Sequence, residues 1–315
     1  MTATRFMPMG RYLIRRLLQA IPTIILVTIA VFLMLHLTPG DPAEVFLGDK
    51  RSTPELLENV RETMGLNRPL HVQYLDYMWN ALHGDLGRSL HTNVPVATQI
   101  ANRLPWTIEL ALTALLLSAV IGIGLGILAA LKHNTLIDTV AMTLALIGIS
   151  MPVYWSSLML IIVFAVNLQW LPAIGQGGIN RLILPAFALA IVSAGSLARM
   201  VRSSMLEVLN QEYLLTARSK GLLERNIIWR HALQNALIPV VTILGLIFGN
   251  LLGGAVLTET IFARLGIGQM YVEAVLQKDF TIVQGTTLFI ALTYVVINIF
   301  VDFIYIFIDP RIRYD

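Results

Sequence analysis

The sequence predicts an all-α integral membrane protein with about six transmembrane helices. Apolar residues make up 56% of its 315 residues and charged residues only 13%, and the mean hydropathy is +0.73. Soluble domains carry roughly a quarter charged residues, so this chain lacks the polar side chains that would cover a water-exposed surface of ordinary size. A helix needs about twenty apolar residues to cross about 30 Å of hydrocarbon, and the chain contains six such runs.

The predicted spans follow one another along the whole chain. The first comes after Arg11, Arg15 and Arg16, like the start of a secretory signal. Its apolar run is too long for a signal and no small-residue cleavage site follows, so it is predicted to be a retained span. The six spans are residues 17–37, 104–131, 136–166, 182–198, 236–257 and 282–308.

The basic residues predict the orientation, because lysine and arginine near span ends favour the cytoplasmic side. With the N-terminus inside, the short outer segments hold only Arg181, Arg264 and Lys278. Both termini are therefore predicted to be cytoplasmic. The net charge of +3 reflects this orientation, and no basic stripe with aromatic residues indicates nucleic-acid binding. The absence of cysteine excludes disulfides and thiolate metal sites.

The spans divide the chain into three parts. Residues 1–37 are predicted to be the cytoplasmic N-terminus and first span, residues 38–103 an extracytoplasmic loop subdomain, and residues 104–315 a core of five spans. Within that core, residues 199–235 are predicted to form a cytoplasmic loop.

The loop at 38–103 is long enough to fold. A helix-like stretch at 54–64 ends at Gly65, and Thr53 or Ser52 is placed to cap it. Such a subdomain either shields the span ends or docks an extracytoplasmic partner, and the residues favour neither.

Three histidines in this loop, His71, His83 and His91, make a nickel site conceivable. Scattered surface histidines are the more common arrangement, and the chain lacks the His-Glu-x-x-His spacing. No metal site is predicted.

The segment 199–235 is too long and too rich in helix-forming residues for a simple connection. Gly221 divides it, because glycine accepts the left-handed conformation that ends a helix, so two short helices at an angle are predicted. The alternatives are an amphipathic hairpin on anionic lipid and a protein-docking surface. The second is favoured, because the apolar and basic residues do not form one long stripe. The apolar residues are Tyr213, Leu214, Ala217, Leu222, Leu223, Ile227 and Ile228, and the basic ones Arg218, Lys220, Arg225 and Arg230.

Two polar residues near the inner end of the last span, Asn298 and Asp302, are four apart and share a helix face. Burying such groups is costly unless they are partnered. A structural partnership with Arg199 or Arg202 is favoured over a role in a transport pathway.

Glu109 lies near the outer end of the second span, where it either lines a pathway or pairs with Arg103. In the third span, Gly148 and Pro152 mark a break, because proline lacks the backbone donor and clashes with the preceding turn. The break is either the hinge of a gate or an ordinary kink in a membrane helix, and the ordinary kink is favoured.

The chain has no phosphate-binding Gly-x-x-x-x-Gly-Lys-Ser/Thr loop and no Gly-x-Ser-x-Gly elbow. No catalytic residue is predicted, so the chain is expected to be non-catalytic.

The segment 212–239 resembles the coupling loop of permease subunits in binding-protein-dependent ATP-driven (ABC) importers, in the dipeptide, oligopeptide, glutathione and nickel branch. Its first part reads Tyr213-x-x-Thr-Ala-Arg-x-Lys-Gly221, and Leu215 stands where the family motif has glutamate. The long first outer loop is similar to that of the first, B-type, permease of such systems. Further matching motifs lie at residues 37–42, 65–74, 84–87, 258–268, 279–280 and 309–314.

The resemblance implies the fold of a type I ABC importer permease, which forms a pathway with a homologous second permease and works by alternating access. It implies two separate ATPase subunits that bind ATP and Mg, an extracytoplasmic solute-binding protein, and a bacterial-type cytoplasmic (inner) membrane, with no cofactor in this chain. The ATPase-coupling positions carried over by the motif are Glu212, Tyr213, Thr216, Ala217, Arg218, Lys220 and Gly221.

The implied cargo is di- or oligopeptides or related small solutes, with nickel, metal chelates or glutathione as the alternative. An ion-coupled secondary transporter is the less favoured rival, because it would show inverted repeats and paired broken helices around a midplane charge. An intramembrane enzyme would need a catalytic pair on facing spans, and none is found.

Overall fold

The computed structural model describes residues 9–37, 42–47, 53–63 and 65–308. In these ranges the chain is helical with no β-strand, and a single antiparallel bridge joins Arg88 and Pro95. The all-α prediction is therefore confirmed. The helices are α1 Met9–Leu37, α2 Pro42–Leu47, α3 Pro54–Thr63, α4 Leu70–Leu82, α5 Val96–Leu131, α6 Leu136–Ser150, α7 Val153–Leu160, α8 Ile179–Leu209, α9 Glu212–Ser219, α10 Glu224–Asn226, α11 Leu233–Ala236, α12 Ile238–Ile261, α13 Ile267–Leu276 and α14 Phe280–Ile308.

Each predicted span has a helical counterpart in the described residues. Three helices are long and apolar enough to cross a membrane, Val96–Leu131, Ile179–Leu209 and Phe280–Val301, and α1 contributes a shorter apolar stretch, Leu18–Leu33. Two bent pairs bring the number of spans to as many as five if each pair counts as one. Helix α5 starts at Val96, before the predicted start of the second span and inside the stretch assigned to the outer loop.

The helices group into two compact units. The first contains Thr107–Arg264 and residues 296–308, and the second contains residues 9–106, as far as they are described, and Leu265–Val295. The predicted division into 1–37, 38–103 and 104–315 remains a prediction.

In the first unit, α5, α8 and α12 share an apolar core with the segment that follows α8. Small residues let the helices approach closely. A side chain on Gly122 would meet Leu197 of α8 at 2.8 Å, and one on Gly126 would meet Val201 at 2.6 Å. Glycine is therefore required on this face of α5 by packing against α8.

The predicted break at Pro152 is present and is sharper than a kink. Helix α6 ends at Ser150, α7 begins at Val153, and the two are bent by 105°. Met151 is extended, with ψ 125°, as expected for a residue that precedes proline. After Leu160 the helix continues as a π-helix, Ile161–Asn167.

Gly148 lies before this break, where α6 packs against α8. A Cβ on Gly148 would meet the backbone oxygen of Ile191 at 3.0 Å. The contact assigns Gly148 a packing role; its role in a hinge remains a prediction.

In the second unit, the N-terminal part of α5 packs with α13 and the start of α14 around Val96, Ile100 and Ile282. Thr53 caps α3, as predicted, because its Oγ1 accepts the Leu56 amide at 3.3 Å. Ser52, the other candidate cap, lies outside the described residues. Near α4, the Thr28 hydroxyl of α1 lies 2.9 Å from the Tyr74 hydroxyl, which joins these two helices.

Candidate functional site

The segment between α8 and α12, residues 210–236, is called the connector here. It comprises α9, α10, a π-helix at Ile227–Ala232 and α11. Helix α8 continues to Leu209, so the first part of the predicted cytoplasmic loop at 199–235 is helical, and the bounds of that loop stay a prediction. A 50° bend separates the connector from α12.

Helix α9 ends in a Schellman turn at Gly221, which confirms the predicted break between two short helices. Gly221 has φ +76°, the left-handed conformation that glycine adopts at little cost. Its amide donates to the Arg218 carbonyl at 2.9 Å, and the Leu222 amide donates to the Ala217 carbonyl at 3.3 Å. These two bonds satisfy carbonyls that the end of a helix otherwise leaves unpaired.

An ion pair closes the same turn from outside. The Arg218 guanidinium donates two hydrogen bonds to the Glu224 carboxylate, at 3.2 and 2.8 Å. These bonds lower the pKa of the Glu224 carboxyl and raise the pKa of Arg218. The pair bridges the end of α9 and the start of α10, so it adds a solvent-exposed contact across the turn.

One face of the connector is buried in the first unit. Leu214 of α9 and Ile227 are fully buried, and both belong to the core cluster that contains Val201 and Met205 of α8. Fully burying a leucine side chain contributes about 1.5–3 kcal/mol. Helix α9 is therefore packed on the π-helix at Ile227–Ala232, which in turn contacts α8.

Polar contacts tie α9 to the end of the connector. The Tyr213 hydroxyl donates to the His231 carbonyl at 3.2 Å, and the Asn235 amide donates to Tyr213 Oη at 2.9 Å and to the same carbonyl at 3.0 Å. Within α9, the Thr216 hydroxyl donates to the Glu212 carbonyl at 3.3 Å. Tyr213 near the start of α9 and Arg218 near its end, both singled out from the sequence, thus make contacts outside the helix.

The opposite face of the connector exposes large apolar side chains. Leu223 is 72% exposed and Leu215 and Trp229 are each 56% exposed. An isolated exposed leucine is ordinary, but several in one short segment mark a contact surface. The exposed apolar residues are Tyr213, Leu215, Leu222, Leu223 and Trp229, and the exposed basic residues are Arg218, Lys220, Arg225 and Arg230.

The structure gives Arg202 a partner that sequence reasoning missed. Both oxygens of the buried Asp138 carboxylate accept from its guanidinium, at 2.7 Å each. Arg202 is therefore engaged by Asp138, and the expected partnership of Asn298 and Asp302 with Arg199 or Arg202 stays a prediction. The missed signal was an acidic residue in the first turn of a predicted span, which needs a basic partner. Asn298 is half-buried, and the side chain of Asp302 lies outside the described residues.

Glu109 also has a different partner from the one considered. Its carboxylate accepts from Arg264 at 2.9 Å, whereas Arg103 lies 3.6 Å from Glu273. The Arg264 side chain is only 1% exposed, so Glu109 neutralises a buried cation. The sequence predicted Arg264 to lie in an outer segment. Nearby, the Thr107 hydroxyl donates to the buried Glu259 carboxylate at 2.7 Å.

Two of the three loop histidines, His83 and His91, have separate partners. A ring nitrogen of His83 lies 2.8 Å from the Trp79 carbonyl, and one of His91 lies 2.8 Å from the Gln277 carbonyl. Among the described residues, no three histidine or acidic side chains are grouped to hold a metal.

Comparison with known proteins places this arrangement in a family. Residues 122–314 match the family described as the binding-protein-dependent transport system inner membrane component, and residues 9–111 match its N-terminal membrane-component family. A solved structure of the MetNI methionine ABC transporter, inward facing, superposes with a TM-score of 0.58 at 18% identity, over 67% of this chain and 96% of that chain. This last likeness shows the fold alone.

Three curated relatives cover nearly the whole chain. A permease protein of Brucella abortus (strain 2308), named for a peptide transport system, is 45% identical over 98% of this chain and 100% of its own length. The dipeptide transport permease DppB of Alkalihalophilus pseudofirmus is 43% identical over 96% and 99%, and the glutathione transport permease GsiC of Salmonella choleraesuis 40% over 97% and 100%. The chain belongs to the family of inner membrane permease components of binding-protein-dependent transport systems.

Proposed function

We propose that this translocation subunit of an ABC importer receives the force of ATP hydrolysis through its connector. Helix α9 seats in a cleft of a separate ATPase subunit, which binds ATP and Mg. The ATPase closes on ATP, and the connector passes that motion to the spans. This chain then alternates between outward- and inward-facing states together with a homologous second permease.

The observation that carries the proposal is the two-sided construction of α9. Its buried face, with Leu214, is part of the same core as α8, so a force on α9 reaches that long apolar helix through the π-helix at Ile227–Ala232. On α9 and in the turn that follows it, Leu215, Leu222 and Leu223 are exposed beside basic side chains. The apolar and basic side chains of this surface do not form the single long stripe that is typical of a helix lying on lipid.

The proposal sets the orientation as well. The connector and both termini face the cytoplasm of a bacterial-type inner membrane, and the loop subdomain at 38–103 faces outward, where a solute-binding protein contacts it. The chain lacks cysteine, so single-cysteine variants report orientation cleanly. A membrane-impermeant maleimide added to intact cells is expected to label Leu82→Cys and to spare Leu223→Cys. The reverse pattern would overturn the orientation.

The proposed cargo is di- or oligopeptides. Two of the relatives that cover nearly the whole chain are named for peptide and dipeptide transport, and a third for glutathione, which is itself a tripeptide. Uptake of a labelled tripeptide is measured in the presence of unlabelled peptides, glutathione or nickel salts. The competitor that inhibits uptake separates peptide transport from the alternatives. Inhibition by nickel alone would contradict the peptide assignment.

Retention of the ATPase tests the coupling proposal. Leu223→Asp places a charge on the exposed connector face, and Leu82→Asp is its matched control, because the two leucines are 72% and 76% exposed. When each tagged chain is purified from membranes, we expect only Leu223→Asp to lose the ATPase subunits, and cells that carry Leu223→Asp should lose peptide uptake. Full retention and normal uptake by Leu223→Asp would refute the connector assignment.

A further inference from the structure

Helix α4 carries an exposed apolar face. Leu75 and Trp79 are 62% and 65% exposed, and Leu82 is exposed as well. These residues follow one another at steps of four and three, which places them on one side of the helix. The adjoining side is polar and carries Asp76 and Asn80, both exposed. Helix α4 is therefore amphipathic, with its apolar side turned away from the rest of the described chain.

Contacts with α1 place α4 at the depth of the membrane. The Tyr74 hydroxyl lies 2.9 Å from the Thr28 hydroxyl, and the Tyr74 ring meets the Phe32 ring edge-on, with centroids 5.5 Å apart. Both α1 residues lie inside the predicted first span, which ends at residue 37. At 1.5 Å per residue, Phe32 lies about 8 Å and Thr28 about 14 Å before that end. Tyr74 therefore reaches α1 within the span and not beyond it.

Helix α14 gives the same depth. Tyr77 and Asn80 of α4 line one groove together with Phe32 of α1 and with Phe280 and Gln284 of α14. The predicted last span begins within these first turns of α14. The end of one span and the start of another thus both lie beside α4, which puts α4 at the boundary between membrane and water.

The chemistry of α4 suits the headgroup region of the bilayer. Tryptophan is enriched there, because its ring is apolar and its indole N–H needs a polar partner. A helix in the interface plane buries its apolar face about 5–10 Å into the boundary between headgroups and acyl chains, and its polar face stays in water. Leu75 and Trp79 supply the apolar face, and Asp76 and Asn80 the polar one.

The C-terminal end of α4 is the wetter edge of this face. The His83 ring lies beside the Trp79 ring, with centroids 4.6 Å apart, and a His83 ring nitrogen is 2.8 Å from the Trp79 carbonyl. Leu82 is the last residue of the helix and is followed by His83 and Asp85. A cysteine at Leu82 is therefore expected to stay open to a water-borne maleimide.

We infer that α4 is an interfacial helix, with Leu75 and Trp79 in contact with phospholipid where headgroups meet acyl chains. The partner of this face is lipid, not protein. The loop subdomain then touches the membrane surface through α4, beside the span ends. The inference invokes neither cargo nor ATPase, and it holds for either orientation of the chain.

Single-cysteine variants of the full-length chain in lipid nanodiscs test the inference, because the chain itself contains no cysteine. Each cysteine carries a nitroxide spin label, whose collisions with oxygen and with chromium oxalate are measured by electron paramagnetic resonance. Oxygen concentrates in lipid, and chromium oxalate stays in water. Leu75→Cys and Trp79→Cys are compared with their sequence neighbours Asp76→Cys and Asn80→Cys. We expect the ratio of oxygen to chromium oxalate collisions to be several times higher at the first two positions.

Equal ratios at neighbouring positions, or higher ratios at Asp76→Cys and Asn80→Cys, would overturn the inference. The same holds if chromium oxalate reaches the labels at Leu75→Cys and Trp79→Cys in the permease alone and is shielded only after the solute-binding protein or the second permease is added. That result would make the face a protein-docking surface. The two apolar positions report independently, so if one variant fails to fold the other still decides.

The inference and the proposed function fail separately. The spin-label measurement contains no ATPase, so its failure leaves the connector proposal intact. Conversely, full retention of the ATPase by Leu223→Asp would leave the depth of α4 unchanged.

Discussion

Substitution of Gly221 tests how far the angle of α9 matters. Gly221 has φ +76°, and a Cβ built there would meet nothing within 4 Å, so Gly221→Ala adds backbone strain without a steric clash. Placing an L-residue in the left-handed region costs roughly 1–2 kcal/mol. If docking requires this turn, that cost appears in the affinity for the ATPase, because about 1.4 kcal/mol is a factor of ten. The expected weakening is roughly fivefold to thirtyfold.

The matched control is Gly84→Ala. Gly84 has φ +82° and is equally open, so the strain is the same but lies in the other unit. Affinity is measured by titrating purified ATPase onto the permease in nanodiscs, and folding by thermal unfolding of each variant. Gly221→Asn should recover most of the affinity, because asparagine tolerates this conformation. Equal ATPase affinities for Gly221→Ala, Gly84→Ala and the wild-type chain would refute the reasoning.

Further predictions concern the contacts that hold the first unit and the connector. Asp138→Asn should lower the free energy of unfolding by about 3 kcal/mol, because it leaves the partly buried Arg202 guanidinium without its counter-ion. In thermal unfolding, the double variant with Arg202→Met should recover stability. An unchanged stability of the single variant would contradict the pairing. Leu214→Ala should cost about 2–5 kcal/mol and Leu215→Ala under about 0.5, measured likewise, and equal effects would contradict the buried and exposed faces. The lowered pKa of Glu224 predicts a contribution to stability of up to about 1 kcal/mol, small because the ion pair is exposed and screened by solvent. This contribution is present above the carboxyl pKa of the unfolded chain and is lost as the pH falls through the folded value. Glu224→Gln should remove this pH dependence of unfolding.

Local chemistry explains which features the sequence could predict. The ends of short helices depend on a few neighbouring residues, so the turn at Gly221 and the cap at Thr53 were foreseen. The break at Pro152 follows from the missing amide of proline, although its 105° bend depends on packing against α8.

Partner choice could not be predicted in the same way. Arg202 and Asp138 are far apart in sequence and meet only because α6 packs against α8. Arg264 and Glu109 are likewise far apart in sequence, and the fold pairs them with the Arg264 side chain buried. In both cases the packing of the helices determined which of several possible acidic partners each arginine contacts.

Cross-linking from the connector tests the central claim most directly. Because the chain contains no cysteine, Leu223→Cys can carry a single benzophenone label in the purified importer complex, with Leu82→Cys as the control. The account predicts that irradiation joins Leu223→Cys to an ATPase subunit, that nucleotide changes the yield, and that Leu82→Cys gives no such adduct. Adducts of Leu223→Cys with lipid or with the solute-binding protein, and none with the ATPase, would contradict it.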